Sequence, residues 1–281
     1  TAGSTVGWPL RGRIAHELTA FDEVGETFAF VDVDGTLEVG PDGFTRDRAY
    51  PGARGLALAD DGSVWLADTL RHRIVRLDSM GNEVSTFGAR GAFPGLFNAP
   101  AGLAVFDGEC FVADTLNHRV VVHDAESGVF KYQWGMHAVV VREGEGKIHY
   151  PEDVAVAADG SFVAVLEPFE RRYQRFERME PNADPSGTLP KKLAVESHFG
   201  PELGIDGEVL VMHEPESGAA MVFDLRMNIP IHVTTFARAG TGVSQLGHIA
   251  SIAVDAATQE VWFLDEGNQR IAAWRLNRDP N

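Results

Sequence analysis

Apolar and polar positions alternate in short bursts along the chain, and the bursts repeat. The clearest spans residues 101–124, AGLAVFDGECFVADTLNHRVVVHD. An apolar run over 102–105 meets an Asp107-Gly108 turn, then a second run over 110–113. A polar turn from Asp114 to Arg119 leads into a third run over 120–123. β-branched and aromatic runs between Asp, Gly and Asn turns predict a three-strand antiparallel meander. The same phrase begins at Arg54 as RGLALADDGSVWLADTLRHRIVRLD and at Ala250 as ASIAVDAATQEVWFLDEGNQRIAAWRL. Asp68/Arg73, Asp114/Arg119 and Asp265/Arg270 keep one interval in all three. A period of roughly 40–50 residues with about four strands per unit predicts a β-propeller.

Taken in order, the units cover 16–50, 51–97, 98–148, 149–192, 193–243 and 244–281. The first and fifth are eroded, and 179–192 reads as a Pro-rich loop. The last unit stops after its third strand, at Trp274-Arg275-Leu276. An open edge strand invites aggregation, so the missing fourth strand is expected from the N-terminal segment, residues 6–14. The expectation is a single domain over 1–281, an all-β, six-bladed propeller whose N-terminal strand closes the last blade.

The best-preserved units resemble NHL repeats, whose form is P-x-G, an apolar strand, D-G, a second strand, A-D-T-x-N-H-R, a third strand and F-G-x-x-G. Here that reads Pro100-Ala101-Gly102, Asp107-Gly108, Ala113 through Arg119, and Trp134-Gly135. The resemblance covers most of 51–176 and 246–276, and only loosely 1–50 and 193–243. It implies a six-bladed propeller but no single activity, because fold and function separate in such scaffolds. Similar propellers include calcium-dependent lactonases and phosphotriesterases, zinc-dependent peptidylglycine amidating lyases, and non-catalytic protein- or RNA-binding modules.

Charge narrows the partners. The 281 residues carry 24 Lys+Arg against 41 Asp+Glu, a net charge of −17. Such a field repels phosphate backbones and anionic membranes, which argues against nucleic-acid and membrane binding and for a small-molecule substrate. No run of apolar residues is long enough for a transmembrane helix. The start, TAGSTVGWPL, lacks an initiator Met and a basic-then-apolar leader. A processed or trimmed soluble chain is expected, with export and a removed signal peptide as one route to that start. The single cysteine, Cys110, sits in an apolar strand and reads as an inert buried thiol.

The first strand of each propeller blade lines the central channel. Its entry shares a face with the turn between the second and third strands, so the converging entries form the default pocket. Those entries read His16-Glu17, Arg54, Ala101, Glu152-Asp153, His198 and His248. A plain scaffold would repeat the small pair Ala101-Gly102. Two metal sets follow. Imidazoles His16, His198 and His248 suit zinc, and the resemblance to the amidating lyases supports them. Glu17 with Glu152 or Asp153, and Asn98, offers the oxygens calcium prefers and resembles the lactonase cluster.

The repeated Asp…Arg turn reads as architecture, because chemistry needs one site and architecture needs every blade. His72 and His118 belong to it. His213-Glu214 end the fifth unit's second strand at the Asp114-like position, without the Arg, and can shuttle protons. Tyr150, beside His149, can assist a substrate oxygen. His123, His137 and His232 read as surface residues. No G-x-S-x-G, glycine-rich phosphate loop or C-x-x-C is present.

The expected protein is therefore a monomeric, metal-dependent hydrolase of lactones, aryl esters or phosphotriesters. A divalent ion, Ca2+ or Zn2+, would be held by His198, His248, Glu17 and Glu152. His16, Arg54, Tyr150 and His213 would do the catalytic work, Arg54 by stabilising oxyanion charge. A zinc lyase and a non-catalytic binding propeller are the alternatives.

Overall fold

The computed structural model describes residues 6–8, 18–24, 27–32, 34–40, 44–47, 49–59, 61–137, 147–179, 192–197, 202–227, 229–255, 259–268 and 270–276. Strand β1 is Val6–Trp8. The first sheet holds β2 (Leu18–Val24), β3 (Thr27–Asp32), β4 (Leu37–Gly40) and β5 (Thr45–Arg46). The second holds β6 (Gly55–Leu58), β7 (Val64–Asp68), β8 (Arg73–Leu77) and β9 (Glu83–Phe87). The third holds β10 (Pro100–Phe106), β11 (Glu109–Asp114), β12 (Arg119–Asp124) and β13 (Phe130–Trp134). A short parallel pair, β14 (Met136–His137) and β15 (Lys147–Ile148), precedes the fourth sheet. That sheet holds β16 (Asp153–Val156), β17 (Phe162–Glu167), β18 (Arg172–Glu177) and β19 (Lys192–Ser197). The fifth holds β20 (Glu202–Asp206), β21 (Val209–Glu214), β22 (Ala219–Asp224) and β23 (Ile231–Phe236).

These sheets are each built from four consecutive antiparallel strands. A further four-stranded sheet joins the chain's two ends in the order β1-β26-β25-β24, with β24 Ile249–Asp255, β25 Glu260–Asp265 and β26 Arg270–Arg275. Its register sets Val6 against Ala273 and Trp8 against Ile271, so an N-terminal strand does cover the edge of the last sheet. The innermost strands β2, β6, β10, β16, β20 and β24 lie each against the next, and β24 returns to β2. The fold is an all-β propeller.

Side-chain alternation explains why the sheets stack. Along β17, Val163 and Val165 pack with Phe111, Val120 and Val122 of the third sheet. Phe162, Ala164 and Leu166 turn the other way, to Leu210 and Met212 of the fifth. Both faces are covered, so β17 is buried throughout and reads as a near-continuous apolar run. Near the axis the strands approach too closely for side chains. A Cβ on Gly55 would stand 1.9 Å from the Ala101 carbonyl oxygen.

Cys110 is a free, buried thiol, and burial pushes it well above the ordinary thiol range. His123 is a correction: it is buried, not a surface residue. Its ring stacks on Phe87 at 4.7 Å and its Nδ1 meets the Gly128 carbonyl at 2.8 Å. It shares a face of β12 with buried Val121, as period-two alternation requires. Among the described residues no helix is long and apolar enough to cross a membrane.

Candidate active site

Each second strand ends in a carboxylate, and that carboxylate organises the mouth. Asp114 accepts the Asn98 N–H on Oδ1 at 2.6 Å, and Asn117 Nδ2 and Arg119 Nε on Oδ2 at 2.7 and 2.8 Å. Arg119 continues to the Ala92 and Leu96 carbonyls at 2.8 and 2.7 Å, pinning the connection from the previous sheet. Asp265 repeats the device with the Gly247 N–H, Asn268 and Arg270. Glu167 does so with the His149 N–H, Arg172 and Gln174. Burial raises the carboxyls of Asp114 and Glu167 despite these bonds. The recurring pair is architecture.

His72 and His118 are architecture too. Both sit at positive φ closing the turn, 55° and 56°, and each ring Nδ1 accepts an N–H from the next sheet's entry. His72 takes Ala99 at 2.9 Å and His118 takes Tyr150 at 3.2 Å.

The strand registers sort the expected site residues into three groups. At the position before Gly55, Gly102, Asp153 and Ser251 stand Arg54, Ala101, Glu152 and Ala250. Across Ala101, Arg54 Nη2 reaches Glu152 Oε2 at 3.4 Å, with the side chains 52% and 39% exposed. An exposed ion pair adds about 0–1 kcal/mol to stability, so the fold does not depend on it.

Two positions earlier in each entry lie Tyr150 and His248, at equivalent places on the rim. From sequence His248 is expected in the Pro slot of its entry; the register gives that slot to Ile249, opposite Asp265 as Pro100 is opposite Asp114, and sets His248 one residue earlier. His213 shifts as well. Glu214 pairs with Ala219 as Asp114 pairs with Arg119, so Glu214 holds the carboxylate position. His213 occupies the preceding one, where the other second strands carry Val31, Ala67, Ala113, Leu166 and Leu264. Its imidazole is fully buried, and burial lowers its proton affinity. The charges of Asp265 and Glu214 pull the other way, and nearby His248 adds to the lowering.

His16, Glu17 and His198 lie outside the described residues. Among the described residues no group of three or more His, Cys, Asp or Glu gathers as metal ligands. Glu152, one described member of the expected set, already faces a guanidinium. Of the four ligands expected for the ion, His248 and Glu152 are described.

Sequence reasoning passed over one cluster. His149 Nδ1 contacts Glu170 Oε1, whose side chain is fully buried while that of His149 is 12% exposed. The His149 ring stacks on His118 at 5.5 Å and lies 4.6 Å from Tyr150. Phe169 stands edge-on to both, at 5.2 and 5.6 Å. The available signal was the repeat itself. Glu170 takes the place held by Asn117 and Asn268, and His149 the place held by Asn98 and Gly247.

No family model matches the chain, and no curated protein sequence does. Solved propellers match in shape. The β-propeller domain of Cps50 (Swd1) from Myceliophteria thermophila is 9% identical with a TM-score of 0.62, covering 99% of this chain and 100% of that one. Streptogramin B lyase is 13% identical with a TM-score of 0.59, covering 97% of both. A catalytically inactive histidine-to-alanine variant of virginiamycin B lyase from Staphylococcus aureus, bound to quinupristin, is 13% identical with a TM-score of 0.58. That match covers 98% of this chain and 99% of the other. At such identity the likeness is one of fold.

The described side chains can therefore offer a guanidinium, a phenol and imidazoles on the mouth face. That set suits proton transfer and stabilisation of an oxyanion.

Proposed function

We propose that this protein is a six-bladed propeller hydrolase that cleaves lactones, aryl esters or phosphotriesters at the channel mouth. The observation carrying the proposal is the Arg54–Glu152 contact, set at an entry position that holds Ala101 and Ala250 in two other described sheets. Glu152 aims the guanidinium and leaves donors for the oxygen that gains negative charge as the acyl or phosphoryl centre is attacked. Tyr150, on the adjoining rim, supplies a hydroxyl to the substrate oxygen. His248, exposed above buried His213, offers a second proton-transfer group on the far side of the mouth. A lyase of similar fold is catalytically inactive as a histidine-to-alanine variant, so a propeller of this shape can carry a histidine-dependent site.

The test is turnover of a lactone, an aryl ester and a phosphotriester, each with chelator, with calcium and with zinc. Arg54→Ala is expected to lower kcat by about 10²–10³ while melting close to wild type. No turnover of any substrate under any condition refutes the proposal. A binding propeller is the second reading, favoured by exposed Leu70, Leu116 and Phe169 at one turn position of three consecutive sheets.

A further inference from the structure

We infer that His149, held by Glu170, is the general base of this site. The inference rests on the hydrolase reading above and adds the proton acceptor that reading lacks. Three observations carry it.

The first is the comparison between blades. Where the third sheet and the sheet joining the termini use Asn117 and Asn268, each side chain donates to the strand-end carboxylate and to a loop carbonyl. That neutral arrangement is sufficient to hold the turn. The fourth sheet instead buries a second carboxylate, Glu170, beside Glu167, and sets an imidazole against it. Burying a carboxylate is costly unless it is paired. Both departures fall in one blade and touch each other, which is the signature of a single site rather than of scaffold.

The second observation is orientation. The His149 backbone N–H donates to Glu167 at 2.8 Å, its Nδ1 meets Glu170, and its ring face lies on His118. A carboxylate at Nδ1 fixes the proton there and makes Nε2 the basic nitrogen, as in other carboxylate-oriented imidazole bases. Glu170 is thus a positioning residue.

The third is location. Tyr150 follows His149 directly, Glu152 lies three residues on, and Glu152 holds Arg54. Base and hydroxyl therefore come from one stretch of chain, and Glu152 of that stretch holds the oxyanion donor, Arg54, from the second sheet.

The step balances without a co-reactant other than water. Nε2 takes a proton from water as the oxygen bonds to the carbonyl carbon, and the carbonyl π pair moves onto oxygen beside Arg54. The intermediate collapses, the C–O bond to the leaving group breaks, and the imidazolium returns its proton to the departing alkoxide. Ester and water become acid and alcohol.

The test uses the full chain and the aryl ester on which wild type is active. His149→Ala is expected to lose about 10²–10⁴ in kcat/KM, with part restored by imidazole in the buffer. Glu170→Gln keeps the shape and removes the charge. It is expected to lose about 10–100-fold and to move the acid limb of the pH–rate profile to lower pH. A merely structural role would lower the melting temperature of both variants without moving that limb and without imidazole rescue. Wild-type turnover with His149→Ala within twofold overturns the inference and leaves the hydrolase reading standing. If His149→Ala does not fold, an unshifted profile in Glu170→Gln overturns it alone. A wild type that turns over nothing removes both.

Discussion

Asp68 departs from the device that Asp114, Glu167 and Asp265 share. Its Oδ2 accepts Arg71 and Arg73 at 3.1 and 2.8 Å, but its buried Oδ1 has no hydrogen-bond partner among the described residues. In three other sheets the equivalent oxygen takes a backbone N–H, from Asn98, His149 or Gly247, at 2.6–2.9 Å. The aligned residue in the second sheet is Pro51, which follows buried Tyr50 as Asn98 follows buried Phe97. Proline has no N–H to give. Pro51→Ala is therefore expected to stabilise the protein. A hydrogen bond to a charged, buried acceptor contributes about 1.5–3 kcal/mol. Loss of the proline constraint on the unfolded chain costs about 0.4–1 kcal/mol. The net gain is about 0.5–2.5 kcal/mol, seen as a higher urea midpoint at constant slope. The control is the same substitution in an Asp68→Ala background, where there is no acceptor and Pro51→Ala should destabilise slightly. Equal losses in both backgrounds would show that residue 51 and Asp68 are not coupled, and the argument would fail.

Arg119→Ala is expected to cost about 3–5 kcal/mol in urea unfolding, because it strands a fully buried Asp114 and frees the 92–96 connection. Arg73→Ala, whose side chain is 29% exposed, should cost clearly less, and equal costs would contradict the anchoring role. The third prediction concerns acid. Burial lowers His213 and His123 from the ordinary 6.5, so below that value the unfolded chain binds protons that the folded chain refuses. Stability should be fully present above pH 6.5 and decline beneath it, by at most about 1.4 kcal/mol per pH unit per group. His213→Asn should flatten that decline in urea titrations at a series of pH values, and an unchanged slope would refute the assignment.

The fold was legible because two signals agreed. Period-two alternation marked the strands, and the fixed Asp…Arg interval marked each turn, so the terminal sheet and its N-terminal partner could be expected from sequence. Register failed where the anchors were lost. In the fifth unit Ala219 replaces the Arg, so the pair His213-Glu214 was set at the carboxylate position as a unit, although Glu214-Pro215 aligns with Glu167-Pro168. In the last unit Ile249 stands where Pro100 and Pro151 mark other entries, so His248 was set in the Pro slot instead of level with Tyr150. The cluster of His149 and Glu170 was missed for a different reason. Its members are separated by a strand hairpin, and each alone passes as a turn residue. Only superposing the blades shows that both positions depart from the repeat together. In a repeat protein the other blades act as internal controls. A departure that creates a contact is stronger evidence of function than an unusual residue in the sequence, and His149–Glu170 is such a departure.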